Sequence, residues 1–264
     1  MTAPVDPYAD ARPSRGFLDG LSPLAKLAGP LPAMLLLVFV RDVATPLAFL
    51  VLSYLLVLAG SRVTGRVALL MFVGMPVGAA VIGIALSLWA DPASVGASTP
   101  LLSIGRWTLS VEALESGMAT GARLVAILAL ALIAGVTTTG ADLVRALVQQ
   151  LRLPYRIGYT ALAAFRFVPR FGYELEIIRQ AHRVRGAAIG RGPVAAAARW
   201  WGYIVPLLAG AIRHAERVAL AMDARAFGAH DTRTERHLLP WRRRDTLFTL
   251  AMWVLSAGIS AVLW

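Results

Sequence analysis

The sequence predicts an all-α integral membrane protein: a bundle of about five membrane spans, with long amphipathic helices at its cytoplasmic face. Hydrophobic residues make up 58% of the 264 and the mean hydropathy is +0.66, outside the range of soluble domains. The apolar residues gather in long charge-free runs. The charge gathers elsewhere: eighteen of the 26 Lys and Arg residues lie between Ala141 and Asp245, and the net charge is +11.

Residues 1–20 read as a cytoplasmic tail without order of its own. They carry Asp6, Asp10 and Asp19 with three prolines and lack the apolar core of a cleavable signal peptide. Residues 21–140 hold the first membrane helices. Ser22-Pro23 is a helix-start signal, followed by Lys26, the chain's single lysine. Residues 27–40 form a short apolar run, 43–61 a longer one, and 67–90 and 124–141 are comfortable against the roughly twenty residues that cross a bilayer. Between them, 91–123 is rich in turn residues and then amphipathic. Thr108-Leu-Ser-Val-Glu112 resembles a helix start, so this stretch is expected as an external loop with an interfacial helix. Residues 246–264 are the final span.

The arginine-rich region, 141–245, faces the cytoplasm by the positive-inside rule. Counting spans from it places the N-terminus inside and the C-terminus outside, in a multi-pass cell-membrane protein. The region is too apolar for an ordinary loop: 157–165 and 200–212 are too short to span and too greasy for water. They read as helices at the inner leaflet, with arginines on the opposite side, able to meet anionic lipid or a partner protein. No nucleic-acid partner is expected.

Several chemistries are excluded as expectations. The chain has no cysteine, hence no disulfide or thiolate site. It has no G-x-x-x-x-G-K-[ST] loop and is not expected to bind ATP. His182, His214, His230 and His237 lack metal-site spacing, so no metal and no catalytic residue is assigned. The spans nearly lack carboxylates, which removes the common proton or sodium relay. Thr137, Thr138 and Thr139 suit hydrogen bonds back to helix carbonyls.

Two short segments match each other: Ala181-His-Arg-Val184-Arg185-Gly186 and Ala221-Met-Asp-Ala224-Arg225-Ala226, the latter followed by Phe227-Gly228. Each closes a helical pattern, where Gly186 or Gly228 can take the left-handed conformation that stops a helix. An arginine there complements the helix dipole; two occurrences of one pattern favour a docking role over a cap alone. Gly74, Gly78 and Gly83 give small-residue spacing, for packing within the chain or for docking a membrane partner.

These segments carry a resemblance. LSPLAKL near the start, then TTTGADLVRAL, QLRLP, ALAAFRFVPRFGYELEIIRQAHRVRG and AMDARAFG occur in the order found in the transmembrane T component of energy-coupling factor transporters, over 21–244. The chain departs from the family pattern at Val184, where alanine is usual, at Ala226, where glycine is usual, and at Ser22-Pro23-Leu24 in place of Asp-Pro-Arg. The resemblance implies a non-catalytic scaffold for vitamin or transition-metal uptake. In that family two coupling helices end in Ala-Arg-Gly motifs that dock into two ATP-binding-cassette ATPases of the EcfA type, which hold the ATP and magnesium. A small S component captures the substrate. By position, Ala181, Val184, Arg185 and Gly186 would meet one ATPase, and Ala224, Arg225, Ala226, Phe227 and Gly228 the other.

Two further classes fit the residues less well. DARAFG has a faint likeness to a phosphatidyltransferase signature, but Asp223 and Asp231 stand alone among arginines where such a site needs several aspartates. A stand-alone secondary transporter is opposed by the shortage of ionisable residues in the spans.

Overall fold

The computed structural model describes residues 16–40, 42–61, 63–89, 100–104, 107–186, 192–230, 234–235 and 237–263. Ten α-helices and one hairpin appear among them. They divide into two compact units, one of Leu147–Leu238 and one of the remaining described residues.

The second unit is the membrane bundle. Helices α1, Pro23–Ala28, and α2, Leu31–Phe39, replace the single run read at 27–40. The break falls at Gly29-Pro30, where proline supplies no N–H to continue the ladder. Helix α3 is Ala44–Gly60, its start held by Asp42, whose Oδ2 accepts from the Thr45 N–H at 2.7 Å and the Thr45 hydroxyl at 2.8 Å. Next come α4, Gly65–Leu69, a π turn, Leu70–Gly74, and α5, Met75–Trp89, in one continuous rod. Pro76 lies just after the π turn, and the Tyr54 hydroxyl donates to the Met71 carbonyl within it, so a group displaced from the helical register is satisfied.

The expected external loop is only partly described: its residues 91–99, 105 and 106 lie outside the described set. Strands β1, Pro100–Ile104, and β2, Trp107–Ser110, form an antiparallel hairpin, with Ile104 opposite Trp107. This is the departure from all-α structure among the described residues. No separate interfacial helix follows it. Helix α6 starts at Val111, with the Ser110 hydroxyl accepting from the Ala113 N–H, and runs unbroken to Thr137. The amphipathic stretch is therefore the first half of a span, because its small residues pack against α5. Helix α7 is Gly140–Gln150, and α10 is Arg243–Leu263, three residues earlier than its apolar run suggested.

The core joins Leu37 of α2, Phe49 and Val57 of α3, Met71, Leu130 and Ile133 of α6, and Phe248 and Met252 of α10. Leu18 belongs to it and is 0% exposed. The tail read as lacking order through residue 20 is thus ordered at Leu18–Gly20, a single 3-10 turn packed on Gly60, because Leu18 fills a space where Gly60 has no side chain. Residues 1–15 lie outside the described set.

The first unit is built on two long helices, α8, Tyr155–Val184, and α9, Pro193–Asp223. Both contain a proline near the middle, Pro169 and Pro206. The short apolar runs 157–165 and 200–212 are segments of these helices, which continue through the flanking arginines. Four helices among the described residues are long and apolar enough to cross a membrane: Gly65–Trp89, Val111–Thr137, Pro193–Asp223 and Arg243–Val262. Helix α9 meets that criterion by composition, and Trp201, Val205, Leu208 and Ile212 lie exposed along it.

Candidate functional site: two arginine-bearing helix ends

Helices α8 and α9 run antiparallel, as their contacts show. Near the end of α8, Arg179 lies over the rings of Trp200 and Tyr203, 5.3 and 6.0 Å from their centroids. Midway, a Cβ placed on Gly210 would lie 2.4 Å from Glu174 Oε1, and Phe167 stacks on His214 with centroids 4.3 Å apart. At the start of α8, Arg156 Nη2 donates to the Gly228 carbonyl at 2.6 Å. Partner numbers fall on α8 as they rise on α9. Arg185 follows the last residue of α8 and Arg225 follows the end of α9, so the two motifs stand at opposite ends of the pair. Helix α8 has 30 residues, which puts those ends about 45 Å apart at 1.5 Å per residue.

At the first end Arg185 is the C-cap, its N–H donating to the Ala181 carbonyl at 3.1 Å. Gly186 follows at φ +69° and donates to Arg183 at 3.1 Å. This is the left-handed stop expected from sequence. Val184 is 89% exposed, so an apolar side chain and a guanidinium stand side by side in solvent.

The second end is closed differently. Ala224 caps α9, and the left-handed residue directly after Arg225 is Ala226, at φ +53°. Gly228, expected to stop the helix, is also left-handed at φ +90°, two residues later. The Phe227 N–H reaches back to the Met222 carbonyl at 3.0 Å, and its ring meets those of Tyr155 and Tyr159 edge-on, at 5.7 and 6.4 Å. Tyr155 donates to the His230 carbonyl, and Tyr159 to Glu235 Oε2 at 2.7 Å. The start of α8 therefore grips the loop after Arg225. Tyr155, Tyr159 and Arg156 are site-shaping residues that sequence reasoning did not single out; the aromatic spacing of Tyr155 and Tyr159, four apart on one helix face, was the available signal.

Arg185 and Arg225 are exposed, and neither enters an ion pair among the described residues. A guanidinium held at a helix end, in no ion pair among the described residues, can form a bidentate contact with a partner's carboxylate or carbonyl oxygens. No group of three or more metal-ligating side chains occurs among the described residues.

The three glycines separate. A Cβ on Gly83 would come 3.0 Å from the Met118 Cα, whereas Gly78 has nothing within 4 Å and Gly74 only Leu70 at 3.8 Å. Gly83 packs within the chain, against Gly117 and Gly121 of α6. There a Cβ would lie 2.4 Å from the Gly83 carbonyl oxygen and 2.3 Å from that of Ala79.

Lys26, in the segment resembling the family's opening motif, is 2% exposed. Its ammonium donates to the Thr137 carbonyl at 2.8 Å, closing the C-terminus of α6 where carbonyls lack helical partners. Asp245 accepts from the Ser22 N–H through Oδ1 and the Arg242 N–H through Oδ2, both at 2.7 Å. The opening segment thus ties the end of α6 to the start of α10.

Comparison with known proteins adds a family match and several relatives. Residues 14–236 match the family described as CbiQ, cobalt transport protein. The chain is 30% identical over 164 residues to an energy-coupling factor transporter transmembrane protein of Staphylococcus aureus, covering 59% of this chain and 61% of that one. It is 36% identical over 109 residues to the protein of the same name from Thermotoga maritima, covering 41% of this chain and 39% of that one. Over 258 residues, 95% of this chain, it is 26% identical to 32% of a longer Bifidobacterium longum protein named as an ABC transporter ATP-binding protein. The chain thus spans about three fifths or less of the length of these relatives.

Proposed function

The chain belongs to the CbiQ cobalt transport protein family, and from that premise we propose that it is the transmembrane scaffold of an energy-coupling factor importer. In this reading it joins two ATP-binding-cassette ATPases to a membrane protein that captures a vitamin or a transition metal. It performs no chemistry itself and holds no cofactor; ATP and magnesium belong to the ATPases.

The observation that supports this reading most is the placement of Arg185 and Arg225 at opposite ends of one antiparallel helix pair. A partner made of two similar subunits needs two similar contacts well apart, and this pair supplies them. The Bifidobacterium longum relative, with a region similar to nearly the whole of this chain inside a protein named for ATP binding, supports an ATPase partner. The arginine-rich ends then face the cytoplasm with the N-terminus, and the C-terminus lies outside.

The test is Arg185→Glu and Arg225→Glu. Each removes a capping contribution of about 0.3–1 kcal/mol from folding. At a desolvated interface each costs about 2–5 kcal/mol, because a partner group is stranded. Each variant should insert normally, bind the ATPases weakly and fail in uptake, with lysine at either position intermediate because it keeps the charge and loses the fork. The double variant should not assemble. Native assembly and uptake by both glutamate variants would reduce these arginines to helix caps.

A further inference from the structure

A second feature of the first unit lies beside the docking end of α8, where Arg183 stands two residues before Arg185. Arg179, Arg183 and Arg199 line a notch of about 270 Å³ together with Trp200 and Tyr203. Its floor is the cation–π stack of Arg179 on the two rings, which fixes that guanidinium. Glu176 lies 3.7 Å from Arg179 Nη1, and three guanidinium groups gather at the notch. Beside it, the same helix presents Trp201, Ile204, Val205 and Leu208, each between 47% and 73% exposed. Basic groups of both helices, aromatic rings and an apolar face thus adjoin one another over residues 199–208 of α9.

We propose that this notch binds the headgroup of an anionic phospholipid, with the acyl chains lying along the apolar face of α9. Charge complementarity selects a phosphodiester, and the guanidinium fork matches its paired oxygens. The apolar strip selects a lipid over a soluble phosphate, since a free anion would leave that strip in water. Trp200 suits the boundary, where indole rings concentrate in membranes. A lipid held here would fix the depth at which the helix pair lies, whether or not Arg185 and Arg225 dock ATPases.

The experiment uses the full chain alone, delipidated in detergent and without ATPases, so that it is blind to the docking reading. Native mass spectrometry follows titration with phosphatidylglycerol or phosphatidylcholine, with glycerol 3-phosphate as a soluble competitor. Phosphatidylglycerol should bind about tenfold or more tighter than phosphatidylcholine. Each arginine near a membrane surface contributes roughly a fivefold factor, so Arg183→Gln, which disturbs no aromatic stack, should lose about that much. Combined R179Q, R183Q and R199Q should lose about a hundredfold at unchanged helical content. Equal binding of the two lipids, or full preference retained in these variants, overturns the proposal. So does complete displacement by equimolar glycerol 3-phosphate, which would mark a site for a free anion.

Discussion

Substituting alanine for single glycines separates two roles that the sequence spacing leaves joined. At Gly121 a Cβ would lie 2.3 Å from the Ala79 carbonyl oxygen, and at Gly117 2.4 Å from that of Gly83, where ordinary contact begins at 3.4 Å. Both obstacles are backbone, so α5 and α6 must move apart by about 1 Å, at a cost of about 1–3 kcal/mol. At Gly78 nothing lies within 4 Å, and alanine there should be neutral or gain up to about 1 kcal/mol of helix propensity. Thermal unfolding in detergent reads the difference directly. Gly117→Ala and Gly121→Ala should lower the midpoint, and Gly74→Ala and Gly78→Ala should not. A loss at Gly78 equal to that at Gly121, or none at Gly121, would refute the packing argument. If Gly74 and Gly78 face a membrane partner, larger residues there should impair assembly at native stability.

Lys26→Met should destabilise the bundle by about 2 kcal/mol, because the ammonium's hydrogen bond to Thr137 at 2.8 Å is a charged one in a buried place; chemical unfolding checks this. Ala226→Gly should raise stability by about 0.5 kcal/mol, the left-handed penalty at φ +53° of about 1 kcal/mol relieved, less the greater freedom of glycine when unfolded. The same melting assay reads it. His230→Cys should react with an impermeant thiol reagent only when the cytoplasmic face is open, and labelling from outside would invert the proposed topology.

The sequence makes the spans legible because lipid demands charge-free runs, and it makes Arg185 legible because Gly186 signals the left-handed stop that the backbone adopts at φ +69°. The second helix end was harder to read. An alanine takes the position where glycine is expected, and tertiary contacts from Tyr155, Tyr159 and Arg156 hold the residues after it, Phe227 and Gly228. The start of α6 was misplaced for a related reason: turn-forming Gly and Thr residues suggest a loop, but their small size lets α5 approach and keeps the helix whole. The pair Gly117 and Gly121, four apart, was itself a visible packing signal. The burial of Lys26 had no local signature, since its partners lie more than a hundred residues away.

The antiparallel helix pair has a mechanical meaning. Handles about 45 Å apart on the same body form a lever, and what it does depends on the relative sense of the forces on them. Equal pushes in one direction translate the body. Equal pushes in opposite directions form a couple and turn it: displacing each end by one helical pitch, about 5.4 Å, rotates it by roughly 13°. Pro169 and Pro206 lie near mid-length on each rod, where each removes one hydrogen bond from its helix.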